Sequence, residues 1–191
     1  MHLYYIANIR VPTEKAHGKQ TREMCNALAS LNVPITLVVT NRKSKGTEGE
    51  FGLVQGVEVL RLRVPDTVAW GYFGFLYEYV RFALAVRRFL RSRREDAMVI
   101  TREYLCAMVA ARMGIPTIWE SHRPQWNRFA RKALESSARM VVVSKGLRDF
   151  YDVLHSKYDS NAYVGEAYEP SKGGSCCRAL IFFKIDIKPR L

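Results

Sequence analysis

The stretch Ala97-Met98-Val99-Ile100-Thr101-Arg102-Glu103-Tyr104-Leu105-Cys106-Ala107-Met108-Val109-Ala110-Ala111-Arg112-Met113-Gly114-Ile115-Pro116-Thr117-Ile118-Trp119-Glu120 reads as one strand, helix, strand unit. Short apolar, β-rich runs form its ends and a helix-forming run over 103–113 fills its middle. Gly114 and Pro116 stop that helix before the next strand starts at Thr117. The same rhythm continues with a helix over 126–137, a strand Met140 to Val143 and a helix over 145–154. Upstream lie strands Leu3 to Ile9, Pro34 to Val39 and Val57 to Leu62, with a helix from Gly18 to Ser30 and a long one over 74–94. Parallel strands require crossover connections, nearly always right-handed, so this order predicts an α/β fold with a doubly wound parallel sheet. Ligands of such sheets bind outside the carboxyl ends of the strands.

A chain of 191 residues is long enough for one domain with a sizeable core and too short for two full α/β domains. With 48% apolar and 25% charged residues it is not the composition of a disordered chain. Residues 41–56, with Lys43, Lys45, Gly46, Gly49 and Gly52, read as an exposed basic loop. From Asp159 onward the alternation dissolves, so the domain is placed at 1–158 and residues 159–191 read as a linker or aberrant tail, with one candidate strand from Ala179 to Ile187.

Thirty Lys and Arg against eighteen Asp and Glu give a net charge of +12, which favours phosphate-rich partners: nucleotides, an anionic membrane surface or nucleic acid. The four cysteines, at 25, 106, 176 and 177, have neither zinc-type nor C-x-x-C spacing. A reducing, cytoplasmic compartment is expected. The strand-like start at Leu3 has no basic flank and no long apolar segment, so neither a signal peptide nor a transmembrane helix is expected, and any membrane contact is peripheral.

The polar residues of interest fall at the carboxyl ends of strands: Asn8 and Arg10, Arg102 and Glu103, Glu120 to Arg123, and Ser144 with Lys145. The turn Pro12 to Gln20 opens a helix at Gly18, where backbone amides and the helix dipole suit a phosphate; an ordinary turn using glycine's backbone freedom is the other reading. Trp119-Glu120-Ser121-His122-Arg123-Pro124 sets an acid, an imidazole and a guanidinium together. Glu120 read alone suits a salt bridge or a cap. The chain has no G-x-G-x-x-G, no P-loop, no nucleophile elbow and no Asp-x-Asp or His-rich cluster, so metal-dependent chemistry and bound cofactors are not expected. The helix over 74–94 carries Phe75, Tyr79, Phe82, Val86 and Phe89 on one face and six arginines in its later turns, which reads as a core-packed helix with a basic end or as a helix resting on anionic lipid.

The opening Tyr4 to Gly18 resembles that of group 1 (GT4-like) glycosyltransferases, and so do Val99 to Arg102, Pro116 to His122 and Met140 to Leu147, in the same order and at similar separations. The resemblance covers about residues 1–155 and implies the amino-terminal, Rossmann-like half of a GT-B fold, in which this half holds mainly the acceptor and a second domain mainly the nucleotide sugar. It further implies a retaining, metal-independent transfer. By position Gly18 matches the family's first-loop glycine near the donor phosphates, and His122 the histidine beside the donor sugar, here taken as catalytic. His17, which stands where the family often has another glycine, Arg102, Glu120, Arg123 and Ser144 are taken as substrate-binding. The family's second domain, with its Glu-x7-Glu motif, is not recognisable after Tyr158, so a missing carboxyl-terminal domain or partner chain is expected and the chain alone should transfer little sugar.

The function expected is transfer of a hexose from a nucleotide diphosphate sugar to a lipid-linked or polysaccharide acceptor at the inner face of a membrane. Two other classes stay in view: a non-catalytic, acceptor-binding module that docks onto a partner, and a basic nucleic-acid binder, for which charge speaks but no recognition module does.

Overall fold

A strand buried on both faces has no polar side to alternate, so it reads as a continuous apolar run, and Ile35-Thr36-Leu37-Val38-Val39-Thr40 is buried at all six positions. The computed structural model describes residues 1–13, 15–42, 52–136, 139–158 and 163–166. Its strands are β1 (His2–Ile6), β2 (Ile35–Thr40), β3 (Val57–Leu62), β4 (Ala97–Thr101), β5 (Thr117–Ser121), β6 (Arg139–Val142) and β7 (Tyr163–Glu166). They form one parallel sheet in the order β3-β2-β1-β4-β5-β6-β7. The helices are α1 (Ala16–Ala29), α2 (Gly71–Leu90), α3 (Tyr104–Arg112), α4 (Arg128–Ser136) and α5 (Lys145–Tyr158). The doubly wound α/β architecture is therefore the one expected.

Helices cover both faces. On one, Leu3, Tyr5, Leu37, Met98 and Ile100 pack with Met24, Cys25 and Leu28 of α1. On the other, Tyr4, Ile6, Val38 and Val99 meet Phe82, Val86 and Leu90 of α2 and Leu105 and Cys106 of α3. Trp119, Met140 and Val142 extend that layer against Ala133 and Leu134 of α4 and Leu147 and Tyr151 of α5. Cys25 and Cys106 are buried and not joined in a disulfide.

Several boundaries differ from expectation. β1 ends at Ile6; Ala7 keeps one bond to β2, its amide donating to the Val38 carbonyl at 3.0 Å, and Ala7 to Ile9 line a cavity. α2 starts at Gly71, because its first turn is set against a 3-10 turn at Val68–Trp70. β7 lies within the stretch read as a linker, beyond the boundary placed at 158, and pairs with β6. Residues 43–51 of the expected basic loop, and the candidate strand Ala179 to Ile187, lie outside the described residues.

Gly74 makes the close start of α2 possible. A Cβ built there would fall 1.9 Å from the Thr67 carbonyl oxygen and 2.8 Å from Trp70 Cβ, and the buried Thr67 hydroxyl donates to the Gly74 carbonyl at 2.7 Å. Gly74→Ala is expected to lower unfolding stability by about 1–3 kcal/mol through overpacking, read as a fall in the denaturation midpoint.

Candidate active site

The first cavity, of about 310 Å³, lies at the carboxyl ends of β1, β4 and β5 and is lined by Ala7 to Ile9 with His17, Arg102, Glu103, His122, Arg123 and Gln125. Its volume falls at the low end of the range for small-molecule sites. A second cavity, of about 250 Å³, shares Glu103, Arg123 and Gln125 with the first and continues along the start of α2 past Tyr72, Phe75, Leu76 and Tyr79 to Tyr104. The first is polar and cationic, and the second is largely aromatic.

Each polar group is set by the end of an element. Thr101 closes β4 by donating its hydroxyl hydrogen to the Ile6 carbonyl at 2.8 Å, and accepts from the Glu103 amide at 3.1 Å. Arg102, between them, reaches α1 and donates from Nη1 to the His17 carbonyl at 3.2 Å. His17 thus sits among cations: burial first, then the charges of Arg102, Lys15 and Arg42, hold its pKa below the ordinary histidine value. It is neutral at pH 7.

At the end of β5 the side chains form a relay. The buried Tyr5 hydroxyl of β1 donates to Glu120 Oε2 at 2.8 Å, and Glu120 Oε1 lies 2.5 Å from His122 Nε2. Burial raises the Glu120 pKa, but the hydrogen bond and charge of His122, with Arg102 and Tyr5, outweigh it and leave Glu120 below the usual carboxylate value. The carboxylate is therefore ionised throughout the neutral range. With Nε2 held by the carboxylate, Nδ1 is the ring nitrogen left for another partner.

The turn carrying these groups is pinned from below: Ser121 Oγ lies 3.0 Å from Tyr151 Oη and donates to the Arg123 carbonyl at 3.0 Å, and the Gln125 amide donates to Tyr151 Oη at 3.2 Å. With its amide oxygen towards Arg123, Gln125 accepts from Nε at 2.7 Å and Nη2 at 3.1 Å. Sequence reasoning did not identify Tyr5, Tyr151 or Gln125 as parts of this site, and placed Glu103 at a strand end without giving it a role.

Of the candidate residues, the structure brings His17, Arg102, His122 and Arg123 to one cavity, with Glu120 buried behind His122. Gly18 is outside the lining. Its amide donates to the Lys15 carbonyl at 2.8 Å, and a Cβ on it would stand 2.1 Å from Thr13 Cγ2, so close packing of the turn accounts for a glycine here. Ser144 is exposed and caps α5, its Oγ accepting from the Leu147 amide at 3.3 Å.

Glu103 carries the opposite shift from Glu120. Burial raises its pKa above the usual carboxylate value, although the Asn8 backbone, Tyr79, Arg102 and Arg123 all pull it down. A group with a raised folded pKa loses its contribution to stability as pH rises through that value. Glu103→Gln is thus expected to gain in melting temperature over the unchanged chain as pH climbs from 4.5, with the gap closing at lower pH. A gap that is constant with pH would mean that the buried carboxyl is not the cause.

Residues 16–164 match the model of the glycosyl transferase 4-like domain. The chain belongs to that family. Its fold is also that of solved glycosyltransferases. Phytolacca americana UGT2, complexed with UDP-2fluoro-glucose and pterostilbene, is 13% identical, with a TM-score of 0.63 over 92% of this chain and 54% of that one. A Polygonum tinctorium UDP-glucosyltransferase capable of glucosylating indoxyl is 12% identical, with a TM-score of 0.57 over 94% of this chain and 55% of that one. The glycosyltransferase domain thus spans about half the length of these solved relatives. No match was found among curated proteins.

Proposed function

We propose that this domain is the acceptor-side half of a retaining, metal-independent glycosyltransferase that moves a hexose from a nucleotide diphosphate sugar to a lipid-linked or polysaccharide acceptor at the inner face of a membrane. A second domain or partner chain supplies most of the nucleotide site, in keeping with the half-length match to the solved relatives. The observation that carries the reading is the convergence of Arg102, Arg123 and the Glu120-bound His122 on one cavity at the strand ends.

As the glycosidic bond to the donor breaks, negative charge gathers on the leaving diphosphate, and two guanidinium groups fixed beforehand stabilise that charge without reorganising. His122, oriented by Glu120, accepts a hydrogen bond from a sugar hydroxyl. His17, in the first turn of α1, brings the positive end of that helix to the phosphates, and Gly18 acts by letting the turn pack closely on Thr13. Ser144, the cap of α5, lines neither cavity and would reach the substrate only in the completed enzyme. The aromatic second cavity takes the acceptor.

Titration with inorganic pyrophosphate and with a nucleotide diphosphate sugar tests the anion site. Binding to this chain is expected to weaken at least tenfold in Arg102→Ala, each tenfold corresponding to about 1.4 kcal/mol; equal binding by both proteins would remove the proposal. Turnover by this chain without its partner half is expected to be negligible. In the completed enzyme, proton NMR of the product and assay in chelator test retention and metal independence.

A further inference from the structure

A surface helix ordinarily buries one apolar stripe and turns a polar face to water. α2 does so only in its second half. Tyr79, Phe82, Val86 and Leu90 are buried, and the expected stripe is present except at its start, where Phe75 is 42% exposed. On the outward side of the first three turns, Tyr72 (74% exposed), Phe73 (81%), Leu76 (42%), Tyr77 (50%) and Val80 (41%) are also in water, with Trp70 (75%) just ahead of them and Leu84 (48%) one turn on. The acidic residue of this helix, Glu78, is buried and paired with Arg42, so no carboxylate faces outward between Trp70 and Arg94. Arg81, Arg87, Arg88, Arg91, Arg93 and Arg94 are all exposed over the same span.

We infer that the outward face of α2 is a docking surface for an anionic lipid bilayer, its aromatic first turns set among the acyl chains and its later arginines on the headgroups. Charge complementarity selects the occupant. An apolar patch bordered by six arginines, with no outward acid before Glu95 and with Asp96 paired to the amino terminus, fits a surface of anionic headgroups, and Trp and Tyr favour the boundary between lipid and water. Among the described residues no helix is long and apolar enough to cross a membrane, so contact is along the surface.

The placement has a purpose. Helices of a parallel sheet start at the edge where the strands end, so the apolar end of α2 stands beside the candidate site. Tyr72, Phe75 and Leu76 border both the exposed patch and the second cavity, which reaches Glu103 and Arg123. A membrane-held acceptor thereby meets the site without leaving the lipid. This deepens the proposed transfer to a lipid-linked acceptor and rests on that reading, while its test needs no turnover.

The 191-residue chain is sedimented with phosphatidylcholine vesicles and with vesicles that also contain about 30% phosphatidylserine. Binding is expected to the second and only weakly to the first. Arg87→Gln/Arg88→Gln/Arg91→Gln should weaken it about 100-fold, near fivefold per arginine, and Phe73→Ser/Tyr77→Ser at least tenfold. Trp70 fluorescence should shift to the blue and be quenched by brominated lipid in the unaltered protein. The altered side chains are exposed, and an unchanged circular-dichroism melt verifies that the fold is kept.

Equal binding to both vesicles, no quenching by brominated lipid, or undiminished binding by the aromatic variant would each overturn the inference. So would a concentration-dependent dimer that disappears in Phe73→Ser/Tyr77→Ser, since the patch would then belong to a second copy. His122→Ala is expected to bind vesicles normally. Vesicle binding without pyrophosphate binding would leave the docking surface standing and remove the proposed site.

Discussion

In a chain completed by its donor-side half, His122→Ala is expected to lower sugar transfer per folded molecule by about 10²–10⁴-fold, the range for loss of a positioned proton-transfer or hydrogen-bonding side chain. That is about 2.7–5.4 kcal/mol of barrier at 1.36 per tenfold. The same change also touches stability, because Glu120 is buried and its Oε1 loses a partner at 2.5 Å. Leaving a buried acceptor unsatisfied costs about 1–3 kcal/mol, which alters how much protein is folded and not how fast each folded molecule works. His122→Gln separates the two. Its amide still donates to Glu120 and should recover the melting temperature, whereas transfer stays low if an imidazole is required. Near-normal turnover with a lowered melting point in both variants would reduce His122 to a structural partner of Glu120.

Arg42→Leu is expected to cost about 3–5 kcal/mol of stability, the price of stranding a buried charge, or about 6–20 °C in melting temperature for a domain of this size. Glu78 is 1% exposed and lies 3.2 Å from Arg42 Nε; Arg42 Nη2 donates to the Asn8 carbonyl at 2.9 Å and to Asn8 Oδ1 at 3.1 Å. Burial raises the Glu78 pKa and Arg42 pulls it back. The net shift is still upward, so the deficit of Arg42→Leu should widen as pH rises past the raised pKa that Glu78 has in the intact fold, which lies above the ordinary glutamate value. Arg42→Leu/Glu78→Leu should recover most of the loss, since apolar groups of similar volume replace buried ion pairs at little cost. A double variant no better than the single one would mean that Arg42 acts through Asn8 and Thr40 and not through Glu78.

Five of the first six strands were legible because strands buried on both faces announce themselves as apolar runs, and Gly114 and Pro116 punctuate them; β3, at the sheet edge and nowhere fully buried, was read from the glycine-rich loop that ends at it. β7 was not legible, because Tyr163-Val164-Gly165-Glu166 is short and half of it is glycine and glutamate, and what sets it in the sheet is its pairing with Arg139 to Val142, which no local pattern announces. Periodicity found the buried stripe of α2 and passed over its outer face, because the first turns are apolar all round and carry no period to detect. His17, Arg102, His122 and Arg123 could be picked out by their position at strand or helix ends. Tyr5 could not: it reads as an ordinary core residue, and its partner Glu120 is 115 positions away.

The sheet order also dictates when the protein can acquire its shape. β1 is made of residues 2 to 6 yet pairs on one side with β4, His2 facing Ala97 and Ile6 facing Thr101. During synthesis at about 5–20 residues per second, the first strand therefore waits several seconds for half of its ladder. Through that interval its apolar run lacks cover on that side, and towards the end of it the aromatic turns of α2 emerge as well. The nascent chain accordingly has good reason to meet a chaperone, or the lipid surface itself, before its first strand is closed in.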